Sequence, residues 1–168
     1  DWTYSPLIAI HFATAEIEKF DQDGCIFMIN FVEAQKYLPE NLQKALKEEG
    51  GDVFSVENLS EKINRLKDLE NLYDRTFPIF MEPPSLDDRM VNQYALFAFM
   101  SDIECTLHKW LDDHPDLARK IIIPQEIKWE LRDKLDQANI TERLLFPGLD
   151  GLSMWLKRQY SSRSSKKK

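Results

Sequence analysis

The chain has 168 residues, of which 43% are hydrophobic and 30% are charged, and its formal net charge is −7. This balance is typical of a single soluble domain with a core of its own, and it excludes a basic nucleic-acid-binding surface spread over the whole domain. Since no apolar run reaches the roughly 18 residues of a membrane span, we expect no membrane partner.

The two cysteines, Cys25 and Cys105, lie far apart and lack metal-ligand spacing. We expect both to be free, mostly buried thiols in a reducing compartment, which predicts a cytoplasmic protein. The chain begins at Asp1 in the middle of a motif, so we also expect that an N-terminal part of the domain precedes it.

The first segment, DWTYSPLIAIHFA, combines a short strand end with a helix start. Residues 2–4 are extended in this interpretation, and Ser5 caps a helix over residues 5–20 with Pro6 in its first turn. Ala9 and Ala13 lie four residues apart on one helical face, which favours close packing against a neighbour. A hydroxyl-rich strand end before such a helix is typical of the floor of a ligand cleft.

The next elements are a short apolar strand and a helical block. Residues 25–31 predict a buried strand. Residues 32–49 predict an amphipathic helix that restarts at Pro39 and stops at Gly50-Gly51, with one apolar face formed by Leu38, Leu42, Ala45 and Leu46. Residues 53–73 predict a further helix. The block 32–73 is interpreted as a helical insertion whose polar face is either solvated or binds a protein partner.

The remaining pattern mixes strands and helices. Strands are predicted at 77–81, an edge strand because of Pro78, at 92–100, and at 120–124, buried on both faces. Helices are predicted at 106–112, 125–138 and 152–160, a strand or turn at 144–149, and a disordered basic tail at 161–168. With too few β-α-β periods for a doubly wound sheet, the sequence predicts one α+β domain over residues 1–160, a small mixed β-sheet packed with helices.

Five ordered segments resemble the FRG domain, which is named for a Phe-Arg-Gly motif. They are DWTYSPLIAIHFA, DGCIFMIN, RMVNQYALFAF, KIIIP and LFPGLDGLSMWL, and the resemblance covers nearly all of the chain outside residues 32–73. The naming motif itself would lie upstream of Asp1. Proteins with this domain are mostly bacterial or phage-borne and intracellular, and several lie near mobile-element and defence genes. The resemblance therefore implies a cytoplasmic protein in a defence or toxin setting.

A second, more distant similarity is to the ADP-ribosyltransferase layout. That superfamily uses an early Arg or His to hold the dinucleotide, a hydroxyl-rich strand to shape the nicotinamide pocket, and a late Glu to bind the ribose. Residues 3–5 match the second element, and residues 92–94, Asn-Gln-Tyr, are similar to its Asn-Glu-Tyr strand. The similarity implies a split sheet, NAD as the ligand, and a cleft between residues 3–5 and 92–94.

Gln93 occupies the position where that superfamily has its catalytic Glu. A carboxylate opposes the positive charge that develops at the anomeric carbon and accepts strong hydrogen bonds from sugar hydroxyls. Gln93 can orient a hydroxyl but supplies no charge, and removing one such electrostatic element typically costs about 10²–10³ in rate. The sequence thus predicts nucleotide binding more directly than transfer.

The candidate ligand contacts near the start of the chain also have structural interpretations. Ser5 is a helix cap or a pocket hydroxyl. Thr3 and Tyr4 are strand residues or ligand contacts. Trp2 is a core residue, a pocket wall or a stacking platform for a ring.

The later candidates have two interpretations as well. Gln93 and Asn92 face a ligand or form a structural amide network. Arg89 binds a phosphate or forms a salt bridge with Asp87 or Asp88.

Three further residues are singled out by their surroundings in the sequence. His11, inside an apolar helix, is a core histidine or a general base. Asp150, between two glycines, caps the last helix or binds a ribose or metal. Glu82, before Pro83-Pro84, is a loop carboxylate or a displaced catalytic acid. The chain has no Gly-rich phosphate loop, zinc-site spacing or serine-hydrolase elbow.

The sequence supports two alternative functions. The first is an FRG-domain protein that binds an NAD-like nucleotide, with ADP-ribosyl transfer or NAD cleavage as its activity. The second is a non-catalytic sensor or protein-binding module that uses the helical insertion. A nuclease or other toxin-like enzyme is suggested only by the genes that accompany such domains, and no metal-ligand cluster in the sequence supports it.

Overall fold

The computed structural model describes residues 2–63, 69 and 75–161. The strands are β1 (Trp2–Thr3), β2 (Gly24–Ile29), β3 (Pro78–Met81), β4 (Ala95–Met100) and β5 (Ala118–Ile123). The helices are α1 (Pro6–Ala13), α2 (Phe31–Ala34), α3 (Glu40–Glu49), α4 (Val56–Lys62), α5 (Asp88–Asn92), α6 (Leu107–Asp112), α7 (Lys128–Gln137), α8 (Glu142–Leu145) and α9 (Leu149–Gln159). The predicted α+β class, a small amount of sheet among helices, is confirmed.

The chain divides into two compact units. The sheet unit comprises Asp1–Tyr4, Phe27–Leu86 and Ala95–Ile121. The helical unit comprises Ser5–Ile26, Asp87–Tyr94 and Ile122–Lys168. Parts of two predicted segments, the helix over 53–73 and the basic tail at 161–168, lie outside the described residues.

The sheet unit is built on strand β4, which pairs on both sides in the order β1-β4-β3. Both pairs are antiparallel: Trp2 lies opposite Leu96 in one, and Ile79 lies opposite Phe99 in the other. Strand β3 is at an edge of the sheet, as Pro78 predicts, because a proline cannot donate a ladder hydrogen bond.

The first core cluster of the sheet unit uses the predicted helical block. Helix α3 contributes Leu42, Ala45 and Leu46, whose spacing puts them on one face, and they pack with Phe77 and Ile79 at β3. Helix α3 ends at Gly50, which adopts φ 69° as a left-handed cap. The predicted apolar face is therefore confirmed, and this face is already occupied by the protein's own core.

The second core cluster of the sheet unit lies around the Trp110 side chain on α6. Its buried members are Ala34, Phe80, Leu96, Trp110 and Leu117. The indole Nε1 of Trp110 donates to the backbone carbonyl of Thr76 at 3.0 Å, so its one polar atom is satisfied. Strand β4 thus has apolar partners on its Leu96 side as well as a hydrogen-bonded strand on each edge.

Helix α1 in the helical unit starts as predicted and ends earlier. The Ser5 Oγ accepts a hydrogen bond from the Ile8 N–H at 3.4 Å. The helix ends at Ala13, after which the Thr14 hydroxyl donates to the Ile10 carbonyl at 2.8 Å. The buried residues of the helix are Ile8 and His11, so the small-residue face at Ala9 and Ala13 is only half-buried.

The predicted burial of strands β2 and β5 is wrong. They pair as a two-stranded sheet, in which Met28 is 51% exposed and Ile122 is 50% exposed. A sheet of two strands has no central position, so a continuous apolar run in it does not require cover on both faces. Cys25 on β2 is exposed as well, contrary to its predicted burial, although both cysteines are free as expected.

Two predicted strand segments begin as helix. The predicted strand over 92–100 starts only at Ala95, because the Asp87 carboxylate caps α5 by accepting from the Arg89 N–H at 2.7 Å. Asn92 ends that helix, and Gln93 follows as its cap. The predicted strand or turn at 144–149 begins within helix α8.

The last helix starts earlier than predicted, and its cap differs. Gly148 precedes helix α9 with φ 101°, and Asp150 lies in the first turn rather than at the cap. At this position the Asp150 carboxylate is stabilised by the positive end of the helix dipole. Within the described ranges, every helix falls short of the length and apolar character that a bilayer crossing requires.

The packing of α3 against β3 makes a quantitative prediction. We expect Leu42→Ala to lower the free energy of unfolding by about 2–5 kcal/mol, since it removes a fully buried side chain from the first core cluster. Leu86→Ala is the matched control, because Leu86 is 87% exposed and its truncation should cost no more than about 0.5 kcal/mol. Urea unfolding followed by circular dichroism checks both; equal effects would contradict the assigned core.

Candidate functional site

The first candidate residues form the edge of the sheet unit. Trp2 and Thr3 constitute β1, where Thr3 lies opposite Ala95 of β4. Trp2 is half-buried and packs against the second core cluster. Trp2 therefore packs at the margin of the core, while its roles as a pocket wall and as a stacking platform stay predictions.

Tyr4 and Glu82 form a hydroxyl–carboxylate pair in the same unit. The Tyr4 hydroxyl donates to Glu82 Oε1 at 2.9 Å, across 78 positions of sequence. The Tyr4 ring also makes an edge contact with Phe31, with centroids 5.9 Å apart. Burial, followed by the hydrogen bond and the charge of Glu82, raises the pKa of Tyr4. The phenol is therefore protonated at neutral pH and keeps its role as a donor.

The later candidates, Arg89, Asn92 and Gln93, contact three consecutive residues in the helical unit, which are the last two residues of α8 and Phe146 after it. Asn92 Nδ2 donates to the Leu144 carbonyl at 2.9 Å, and Gln93 Nε2 donates to the Leu145 carbonyl at 2.8 Å. The Arg89 guanidinium carbon lies 4.9 Å from the centre of the Phe146 ring. A structural amide network, one of the two interpretations of Asn92 and Gln93, is thus present.

Two sequence interpretations change at this point, and a third is confirmed. Among the described residues no ion pair joins Arg89 to Asp87 or Asp88, and Arg89 makes the ring contact instead. Asn92 and Gln93 lie at a helix end rather than in a strand, because α5 occupies the positions that were predicted to open β4. Ser5 is a helix cap, and its role as a pocket hydroxyl stays a prediction.

The candidate residues fall into two groups, one in each unit. The sheet unit contains Trp2, Thr3 and Tyr4 together with Glu82. The helical unit contains Ser5, Arg89, Asn92 and Gln93, of which the last three share the α8 contacts.

A buried ionic cluster in the helical unit was not predicted. The Glu142 carboxylate, 3% exposed, accepts from Arg132 Nη2 at 2.5 Å, from Arg158 Nε at 2.6 Å and from Arg158 Nη2 at 2.9 Å. Asp136 accepts from both terminal nitrogens of Arg158 at 2.6 and 2.8 Å. The two guanidiniums lower the pKa of Glu142 despite its burial. The four side chains therefore carry two positive and two negative charges, which compensate each other.

His11 extends this cluster and has a defined tautomer. Arg132 Nη1 lies 3.0 Å from His11 Nδ1, and since a guanidinium can only donate, Nδ1 accepts and the proton is on Nε2. That Nε2 atom is buried. Burial and the adjacent Arg132 charge lower the pKa of His11 to about 4, against the smaller opposing effects of Glu142 and of the Ile140 backbone. The core-histidine interpretation fits this environment.

The sequence contained one signal for this cluster. The buried residues of helix α7 are Lys128, Arg132 and Leu135, two of which are charged. These three lie at i, i+4 and i+7, so the charged residues of α7 follow the same helical period as a core face. Lys128 donates to the Lys19 carbonyl, and Arg132 pairs with Glu142. Neither partner could be assigned without the fold.

The remaining chemistry of the site is limited. Among residues 2–63, 69 and 75–161, no three His, Cys, Asp or Glu side chains are grouped so that they could hold a metal ion. Comparison of the chain with protein-family models, curated proteins and solved structures found no match. The FRG-domain resemblance accordingly depends on the sequence motifs, and any functional assignment depends on the contacts described above.

The buried neutral His11 predicts a specific acid sensitivity. Above pH 6.5 the imidazole is neutral in both the folded and the unfolded chain; below it, the unfolded chain binds a proton that the folded chain binds only near pH 4. Stability should therefore fall by up to about 3 kcal/mol as the pH is lowered from 6.5 to 4. Urea unfolding at half-unit pH steps measures this loss.

His11→Asn is the matched variant, because an amide oxygen can still accept from Arg132 without titrating in this range. The variant should show a flatter stability profile between pH 6.5 and 5, whatever its absolute stability. Glu142 contributes stability that is lost at lower pH, since its folded pKa lies below its unfolded value. An unchanged slope between pH 6.5 and 5 in the variant would assign the acid sensitivity to other groups.

Proposed function

We propose that this chain is an FRG-domain protein that binds an NAD-like nucleotide at the edge of its sheet unit, where Trp2, Thr3, Tyr4 and Glu82 lie. The observation that carries the proposal is the hydrogen bond between the Tyr4 hydroxyl and Glu82. It provides a carboxylate of fixed orientation beside the hydroxyl-rich segment that the ADP-ribosyltransferase similarity assigns to the nicotinamide pocket.

Glu82 supplies the charge that Gln93 lacks. An exposed carboxylate accepts hydrogen bonds from the paired hydroxyls of a ribose and opposes positive charge at the anomeric carbon. Tyr4, whose phenol stays protonated, occupies one lone pair of Glu82 and restricts its rotamers. The sequence interpretation of Glu82 as a displaced acid thereby becomes part of the proposal.

The neighbouring side chains suit the other parts of such a ligand. The half-buried Trp2 ring is the group proposed to stack on a base or a nicotinamide ring. Thr3 adds a hydroxyl on the same edge strand. These groups favour a ring-and-sugar ligand over a purely anionic one.

The activity proposed for this site is cleavage of the bond between the anomeric carbon and the nicotinamide nitrogen. Nicotinamide leaves with the electron pair of that bond as a neutral molecule, and a water or a protein side chain forms the new bond and loses a proton. Glu82 would stabilise the positive charge that develops on the sugar between these events.

A second function, a non-catalytic sensor or protein-binding module, is favoured by one observation. The Gln93 amide donates to the Leu145 carbonyl, which is a structural use of the residue at the expected catalytic position. A protein partner would meet the polar face of the helical block, because the apolar residues of α3 are in the core. For the same reason, deletion of this block would remove part of the core.

Glu82→Gln tests the proposed activity, because it removes the charge and keeps the shape. With nicotinamide-labelled NAD, we expect the wild-type chain to release nicotinamide and the variant to be slower by about 10²–10³, with a smaller change in affinity. Glu104→Gln, another exposed carboxylate of the sheet unit, is the matched control and should leave the rate unchanged.

Calorimetric titration with NAD separates the two functions. Binding without nicotinamide release by the wild-type chain would favour the sensor, and binding weakened by Glu82→Gln would still support the proposed location. A wild-type chain that neither binds nor cleaves NAD would overturn the nucleotide proposal.

A further inference from the structure

The residues after Asp88 depend on helix α8 for their placement. Asn92 and Gln93 donate to the consecutive carbonyls of Leu144 and Leu145, and Arg89 lies over the adjacent Phe146 ring. All of these residues belong to the helical unit. A shift of the α8 backbone would therefore move both acceptor carbonyls and change the positions of the two amide side chains.

Helix α8 is too short to maintain its own position. It has four residues, and helices of one turn are not stable without tertiary contacts because nucleation fixes several dihedral angles for one hydrogen bond. Thr141 precedes it without a side-chain capping bond. The position of α8 must therefore be set by what its residues contact.

Glu142 provides the strongest of those contacts. It is the first residue of α8, and its carboxylate receives three N–H groups, one from Arg132 on α7 and two from Arg158 on α9. Charge-assisted hydrogen bonds to guanidinium groups are directional, so they fix orientation as well as distance. Glu142 thus ties the start of α8 to two longer helices.

Helix α9 holds the α8 backbone from another side. Gly151 lies so close to it that a Cβ atom there would be 1.9 Å from the Phe146 carbonyl oxygen and 2.5 Å from the Glu142 carbonyl oxygen. The ionic contact and the backbone contact act on the same short segment, residues 142–146.

We propose that Glu142 is the positioning residue for the Arg89–Gln93 segment, acting through α8 on the Asn92 and Gln93 amides. This inference goes beyond the proposed nucleotide site, which contains none of these residues. The placement itself is a property of the ligand-free chain and can be tested without NAD.

The matched pair of variants is Glu142→Asp and Asp136→Asn. The first keeps the charge but draws the carboxylate back from Arg132 and Arg158, which displaces or loosens α8. The second removes the other carboxylate partner of Arg158 and leaves all contacts of Glu142 in place. Both perturb the ionic cluster, and only the first acts directly on α8.

Amide hydrogen exchange of the full chain is the readout. The Gln93 and Tyr94 amides bond to the Arg89 and Val91 carbonyls, and the Trp110 amide, which bonds to the Thr106 carbonyl in the sheet unit, serves as the internal reference. We expect Glu142→Asp to accelerate exchange at Gln93 and Tyr94 at least about tenfold relative to Trp110, and Asp136→Asn to change this ratio less than about twofold. Equal ratios in the two variants would overturn the positioning role.

A double variant keeps the test valid if Glu142→Asp is poorly stable. Gln93→Ala removes the bond to Leu145, so if Glu142 acts through that bond, the effects of Gln93→Ala and Glu142→Asp on Tyr94 exchange should be non-additive. Additive effects would contradict the inference. Failure of the wild-type chain to bind NAD would overturn the proposed function, whereas the exchange ratios alone decide the role of Glu142.

Discussion

The Glu142 carboxylate, shared by two guanidinium groups, is the interaction on which the helical unit depends. Burying a carboxylate is costly unless its lone pairs are satisfied, and here three N–H groups satisfy them. Because Arg132 and Arg158 come from different helices, the carboxylate can be satisfied only when α7, α8 and α9 are docked together. This requirement explains why α7 buries Arg132 beside Leu135 and leaves Leu131 only half-buried. The buried Lys128 has a different partner, because its Nζ donates to the Lys19 carbonyl at 3.0 Å. The ionic cluster thereby holds α7, α8 and α9 together, as the apolar core clusters hold the elements of the sheet unit together.

The charge balance of this cluster determines the protonation state of the neighbouring His11. Two guanidiniums and two carboxylates cancel, so a protonated His11 would add a third cation with no additional anion. Arg132 also requires an acceptor at Nδ1, which only the neutral ring provides. The same cluster fixes α8, whose carbonyls hold Asn92 and Gln93. Asn92 and Gln93 lie far from every member of the cluster in sequence, and they are consequently connected to it by one chain of contacts.

Sequence patterns were most informative where one face of an element meets an apolar core. The α3 face, the Ser5 cap and the edge position of Pro78 followed from spacing and local chemistry. Patterns failed where tertiary context decided the outcome: the apolar runs of β2 and β5 lie in a two-stranded sheet, and an Asp87 cap converted the predicted start of β4 into a helix. For the candidate site, the sequence named Tyr4 and Glu82 separately, but no local rule could pair residues 78 positions apart. The partners of Glu142 could not be predicted from the sequence either, because charged residues usually indicate a solvated face.

Gly151 has a consequence for how much the end of the chain can vary. The Gly151 Cα lies so close to the Glu142 and Phe146 carbonyls that no volume remains for even a methyl group. The distance between α8 and α9 is therefore set by contact between main chains rather than between side chains. Side-chain interfaces tolerate exchange because neighbouring rotamers can adjust, whereas a main-chain interface has no such freedom. Exposed positions of α9 can thus accept substitutions, whereas Gly151 cannot accept a side chain. The close contact at Gly151 fixes the distance between the helices, and this distance keeps Arg158 within hydrogen-bonding reach of its carboxylate partners.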